Sequence, residues 1–158
     1  MRRTFLACLL AGALALSAVL ASPVDYVLDP AASQAGFAIG ENLLGRETTA
    51  VGTTQAVAGG VTLDAADPSV LVFHTFQVDV STLTTDDRQR DGQIRNRILQ
   101  TNNAANQYVT FVPQEAVGLE LPLVAGATQT VELVGQLTIK GVTKEAVFEL
   151  ELHSLSHT

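Results

Sequence analysis

The sequence has no tryptophan, one cysteine and one methionine, and only nine basic residues against sixteen acidic ones among 158. Each scarcity excludes something. With Cys8 alone, no disulfide within the chain and no thiolate metal cluster can form. A formal charge of −7 makes nucleic acid and anionic membrane surfaces poor partners, because both repel an acidic protein. Three histidines, His74, His153 and His157, are the whole supply of imidazole. No His-Glu-x-x-His, no Gly-x-Ser-x-Gly and no phosphate-loop glycine pattern occurs. The expectation is a protein that is not an enzyme, with no metal and no cofactor. His74, beside Val72 and Phe76, is expected to be a satisfied core or half-exposed histidine.

Charge is also missing from one long stretch. After Met1-Arg2-Arg3, residues from Phe5 to Leu20 carry none, and Val19-Leu20-Ala21 presents small residues for a signal peptidase. This predicts a signal peptide over residues 1–21, with Sec or twin-arginine export both open, and a periplasmic or secreted product. Removing it also removes Cys8 and two arginines. The remaining 137 residues then carry seven basic and sixteen acidic side chains, a net charge of −9. Their apolar share is about 42%, ordinary for a globular domain. One domain, 22–158, soluble after cleavage, is expected at this length, with 153–158 as a loose tail.

The apolar residues present recur mostly every second position. Val131, Leu133, Leu137 and Ile139 alternate with Glu132, Gln136 and Thr138. Ala146, Phe148, Leu150 and Leu152 alternate with Val147, Glu149, Glu151 and His153. Each reads as a strand with one dry face, and Lys140–Lys144 between them as a hairpin connection. Val70 to Val80, Phe37 with Ile39, Val57 to Leu63, and Tyr108 to Val112 supply further strands, with Gly59-Gly60, Asp67-Pro68 and Gly118 as punctuation. Residues 84–100 break the pattern and predict one α-helix capped by Thr84 or Thr85. Asp86/Arg90 and Asp91/Arg95 fall four apart with the acid first, the favourable order for ion pairs. The fold class expected is mainly β, an antiparallel barrel or sandwich with that helix across its mouth or edge.

The same segments, taken in order, resemble a known family. Tyr26-Val27-Leu28-Asp29-Pro30 with Ser33 and Gly36-Phe37, then Val51-Gly52-Thr53-Thr54 and Val57-Ala58-Gly59, are similar to the opening of YceI-like domains, the bacterial polyisoprenoid-binding proteins. Arg90-Asp91 with Ile94-Arg95, Tyr108 with Thr110-Phe111, and Gly135 through Lys144 resemble its later segments. The resemblance implies an extended lipocalin-like antiparallel barrel of about eight strands around a long isoprenoid chain, such as a polyprenyl phosphate or quinone. It also marks departures. Ala32 stands where relatives often have His, and Val109 where they have Pro. Relatives add strands after the hairpin, so the barrel is expected either closed or cut short at that end.

The candidate interior set is Phe37, Ile39, Phe76, Val78, Phe111, Leu137, Ile139, Phe148 and Leu150. Periodicity places these side chains on dry faces but cannot tell a lipid tunnel from a solid core; the resemblance implies the tunnel. Arg90 and Arg95 are candidates for a cationic rim facing a phosphate or polar head, or else members of a salt-bridge set that orients the helix. The function expected is an exported carrier that sequesters an isoprenoid-type lipid by burial. The alternative is a solid-core β domain acting as an envelope structural or interaction module. Homodimerisation is left open.

Overall fold

The computed structural model describes residues 23–43, 45–64, 67 and 69–154. The expected signal peptide at 1–21 lies outside the described residues, as do residues 155–158. Among the described residues ten strands form: β1 (Val24–Val27), β2 (Ala35–Leu43), β3 (Arg46–Thr54), β4 (Val57–Ala58), β5 (Gly60–Leu63), β6 (Leu71–Phe73), β7 (Phe76–Asp79), β8 (Tyr108–Val117), β9 (Thr128–Ile139) and β10 (Val142–His153). A helix, α1 (Arg88–Gly92), continues into a π-helical turn at Gln93–Ile98. No helix among the described residues is long and apolar enough to cross a membrane.

Every strand pairing is antiparallel. The largest sheet has the order β10-β9-β8-β7-β4, a second has β1-β5-β6, and β2 pairs with β3. The first two are two stretches of the same strands. β4 becomes β5 across Gly59, and β6 becomes β7 across His74 and Thr75. The break sits at Gly59 because the Phe76 ring lies against its backbone, where any Cβ would collide. The run Val70–Val80, expected to be one strand, is therefore two. His74 sits in the gap between them and is exposed, not a core histidine; it hydrogen-bonds Thr62 at 2.7 Å.

The β9–β10 hairpin follows its alternation closely, pairing Ile139 with Val142 at one end and Thr128 with His153 at the other. Its turn is only Lys140-Gly141, shorter than the five-residue connection expected from sequence. Both residues have positive φ, 50° and 72°, as a two-residue turn matching the strands' twist requires. His153 belongs to β10, and the Ser154 N–H donates to the Ala127 carbonyl at 3.0 Å. The sequence places these two residues in a loose tail; backbone pairing to residues 127–128 holds them in the sheet instead.

The solid core is Phe111, Val131 and Leu133, with Phe73, Phe76, Ala116, Leu119, Leu137, Ala146 and Leu150 packed against it. Val131 is fully buried. Burying side chains of this size contributes about 1.5–3 kcal/mol each. The barrel is not closed. Among the described residues β10 pairs only with β9, and the β2–β3 hairpin meets the larger sheets' chain through one bridge, Thr53 to Thr84, with bonds of 2.9 and 3.0 Å. The result is a mainly β, incomplete lipocalin-like barrel with one helix.

Candidate functional site

Thr84 is held by that bridge to Thr53, so it is not free to start a helix. The helix begins later than expected, at Arg88, and Asp87 caps it by accepting from the Gln89 and Arg90 N–H groups at 2.7 and 3.3 Å. Thr85, expected as a cap, instead faces Asp91. Its hydroxyl and its backbone N–H both donate to the same Asp91 oxygen, at 2.8 and 2.6 Å. These bonds, helped by the nearby Arg95 and Arg90 charges, hold the Asp91 carboxyl below the usual carboxylate range. The loop entering the helix is thereby tied to the helix interior. Close by, partial burial pushes the Asp79 carboxyl up. Hydrogen bonds from Ser81 and Gln107 outweigh that and hold it below its usual range.

Past Gly92 the helix widens. The Leu99 N–H donates to the Ile94 carbonyl at 2.8 Å, five residues back. A turn of about four to five residues brings Ile98 and Leu99 together beneath Ile94, so three aliphatic side chains point the same way. The far end is pinned by Lys140 from the β9–β10 turn, whose ammonium donates to the Ile98 carbonyl at 3.2 Å. A cation there suits the negative end of the helix.

Beneath those side chains lies an apolar cavity of about 380 Å³, within the usual range for ligand pockets. Ala35, Gly36, Phe37 and Ile39 of β2 form one wall. Val78, Val80, Leu83, Val109, Ile139 and Phe148 form the other, and Ile94, Ile98 and Leu99 roof it. Phe37 is tilted across its strand partner Gly52, whose missing Cβ leaves room for the ring. Two of its lining residues remain exposed, Ile39 at 54% and Phe148 at 45%. Among the described residues, no charged side chain lines this cavity.

The nine interior candidates divide between two places. Phe37, Ile39, Val78, Ile139 and Phe148 line the cavity. Phe111 belongs to the solid core, Leu137 and Leu150 pack against it, and so does Phe76 while bordering a smaller neighbouring cleft. Phe148 sits at the division, its ring edge-on to Phe111. Neither rim candidate borders the cavity. Arg90 pairs with Asp86 at 2.5 Å, as its spacing predicts. Arg95 reaches the Ser81 carbonyl at 3.5 Å, while Asp91, its expected partner, accepts from Thr85 instead. The lining residues missing from the candidate set are chiefly Ile94, Ile98 and Leu99. Their signal was an aliphatic trio on an otherwise polar helix.

Chemically the site can bury apolar chain and little else. Among the described residues no group of three or more His, Cys, Asp or Glu side chains is placed to hold a metal ion.

The chain matches the family model of the YceI-like domain over residues 26–157. Among curated proteins none matches this sequence. A polyisoprenoid-binding domain from Saccharophagus degradans, implicated in plant cell wall breakdown, is similar in structure with a TM-score of 0.52 at 16% identity. That likeness covers 84% of this chain and 64% of the other. A YceI protein from Campylobacter jejuni gives a TM-score of 0.47 at 19% identity over 78% of this chain and 66% of its own. The chain thus spans slightly less than two thirds of the length of either, and at such identities the structural likeness speaks to fold alone. With a family match running from β1 past the last described strand, the chain belongs to the YceI-like domain family.

Proposed function

We propose that the protein is an exported, non-enzymatic carrier that sequesters an isoprenoid-type lipid. The observation that carries this reading is the uncharged aliphatic cavity between β2, the widened helix and the β7–β10 sheet. An aliphatic chain leaving water for such a space gains about 0.8 kcal/mol per buried CH₂ group, with no polar recognition needed. Family membership supports the same reading, as does the polyisoprenoid-binding description of the Saccharophagus domain. Export rests on the basic start and uncharged run of residues 1–21.

Native mass spectrometry of protein purified from its own host under mild extraction tests the carrier reading. A co-purifying apolar adduct of prenyl type is the expected result. A clean apo mass would count against it and favour a β module without ligand.

A further inference from the structure

The apolar cavity is bounded largely by groups with little room to move. Val80 and Leu83, each 6% exposed, are its most buried lining. Towards the solid core, the Phe148 ring stands edge-on to Phe111, which is itself buried with Gly135 close against its ring. On the β2 wall, Phe37 lies over the Gly52 backbone, and a Cβ on Gly36 would stand 2.5 Å from the Gly52 carbonyl oxygen. Close-packed surroundings of this kind yield little to a bound chain. Ile39, Ile98, Ile139 and Phe148 are the exposed aliphatic and aromatic members of the lining, so a lipid enters or leaves past them.

Such a space sets a limit on chain length. An apolar cavity of about 150 Å³ accepts one benzene molecule, so each carbon takes up about 25 Å³. At that density a cavity of about 380 Å³ holds about fifteen carbons, or three prenyl units. Carbons beyond that number stay in water and add no burial. A longer reach would need the chain to pass Ala35 and Val78, which border both the cavity and a neighbouring cleft of about 340 Å³. There the side chains of Ser33 and Gln77 replace part of the hydrocarbon lining with hydroxyl and amide.

We infer that the site selects for tail length, taking a short isoprenoid tail of about three prenyl units and leaving the excess of any longer one outside. Its occupant is thus shorter than the long chain that the family resemblance implies. Ala35 sets the limit on one side and Phe148 on the other, where its ring separates the cavity from the solid core. This inference rests on the carrier reading and narrows it.

A series of prenyl alcohols with one head and growing tails tests it: geraniol, farnesol, geranylgeraniol and geranylfarnesol, with ten, fifteen, twenty and twenty-five carbons. Each displaces the neutral fluorophore N-phenyl-1-naphthylamine from the full chain. Affinity is expected to rise about tenfold or more from geraniol to farnesol, and by less than about threefold at each later step. Two variants should move the break in opposite directions. Ala35→Phe adds a ring that fills about 150 Å³, so the break should fall to geraniol; Phe148→Ala vacates a similar volume, so it should rise to geranylgeraniol. Circular dichroism shows which variants are folded, and either one alone decides. A tenfold rise at every step, or a break that a folded variant leaves in place, overturns the inference but leaves the carrier reading intact. If no alcohol displaces the fluorophore, the carrier reading falls and takes the inference with it.

Discussion

Phe111 meets Phe148 edge to face, with ring centroids 4.7 Å apart and planes at 75°. The other side of the Phe111 ring lies over Gly135, where a Cβ would stand 2.8 Å from Phe111 Cζ. One ring is therefore gripped from two strands, β9 and β10. Phe111 is 6% exposed and Phe148 45%, so the pair is unequal in what it contributes. Phe111→Ala should cost about 3–5 kcal/mol of stability, and Phe148→Ala roughly half that or less. Urea unfolding followed by circular dichroism measures both; equal losses would show that the pair does not divide core from cavity.

The same division separates two charge insertions. Leu137 pairs with Phe111 across β8 and β9 and packs against the solid core. Leu137→Asp buries an unpaired carboxylate and is expected to abolish folding. Phe148→Asp can turn its charge to water, so the fold should survive while uptake of an isoprenoid lipid is lost. A folded Leu137→Asp protein would refute the placement.

Filling the cavity should act on binding alone. Ile98 is part of the roof yet is 60% exposed, so a larger side chain there meets little resistance. Ile98→Trp is expected to lower lipid affinity by about tenfold or more, with unfolding midpoints near wild type. Wild-type affinity would mean that the chain occupies another space.

The turn at Lys140-Gly141 ties the sheet to the helix. Gly141→Val forces a β-branched residue to φ near 72°, at a cost of about 1–2 kcal/mol. Lys140→Met keeps the turn but removes the donor to the Ile98 carbonyl. Its expected signature is faster amide exchange at residues 98–101, with β9 and β10 protection unchanged. Uniform exchange across all three elements would deny the link.

Asp91 sets a pH dependence. Its carboxyl is held low in the folded state, chiefly by the Thr85 hydroxyl, so its contribution to stability is complete above the ordinary carboxylate range of about pH 4. That contribution fades as pH falls through the lower folded value. Urea midpoints measured between about pH 6 and pH 2 should therefore drop more steeply for wild type than for Asp91→Asn. Thr85→Val should flatten the same curve. Parallel curves would remove Asp91 from the account.

The sequence was most legible where one face is wet and the other dry. β9 and β10 show this, and their register follows the Glu132–Glu149 face outward and the Leu133–Phe148 face inward. It was least legible in β3, whose Arg46–Thr54 run is rich in threonine, because the face it buries is made of small residues, Ala50, Gly52 and Thr54, that leave no strong apolar alternation. The helix start was misplaced because Thr84 is a good cap by type, and only its distant partner Thr53 withdraws it. The site was half legible for a related reason. A period of two assigns Phe111 and Phe148 to the same side of the sheet, but not to different depths beneath the helix and β2. Depth comes from what lies opposite, and that is set by the chain's path.

The plug made by Phe111 and Phe148 lets one small domain combine tight packing with an open interior. A barrel hollow along its whole length would forgo the burial of Val131, Leu133 and Leu137, and with it most of its cohesion. Here that cohesion is gathered on one side of the aromatic pair, along β8 and β9. The space on the other side can then widen, narrow or stand vacant without loosening the part that keeps the chain folded.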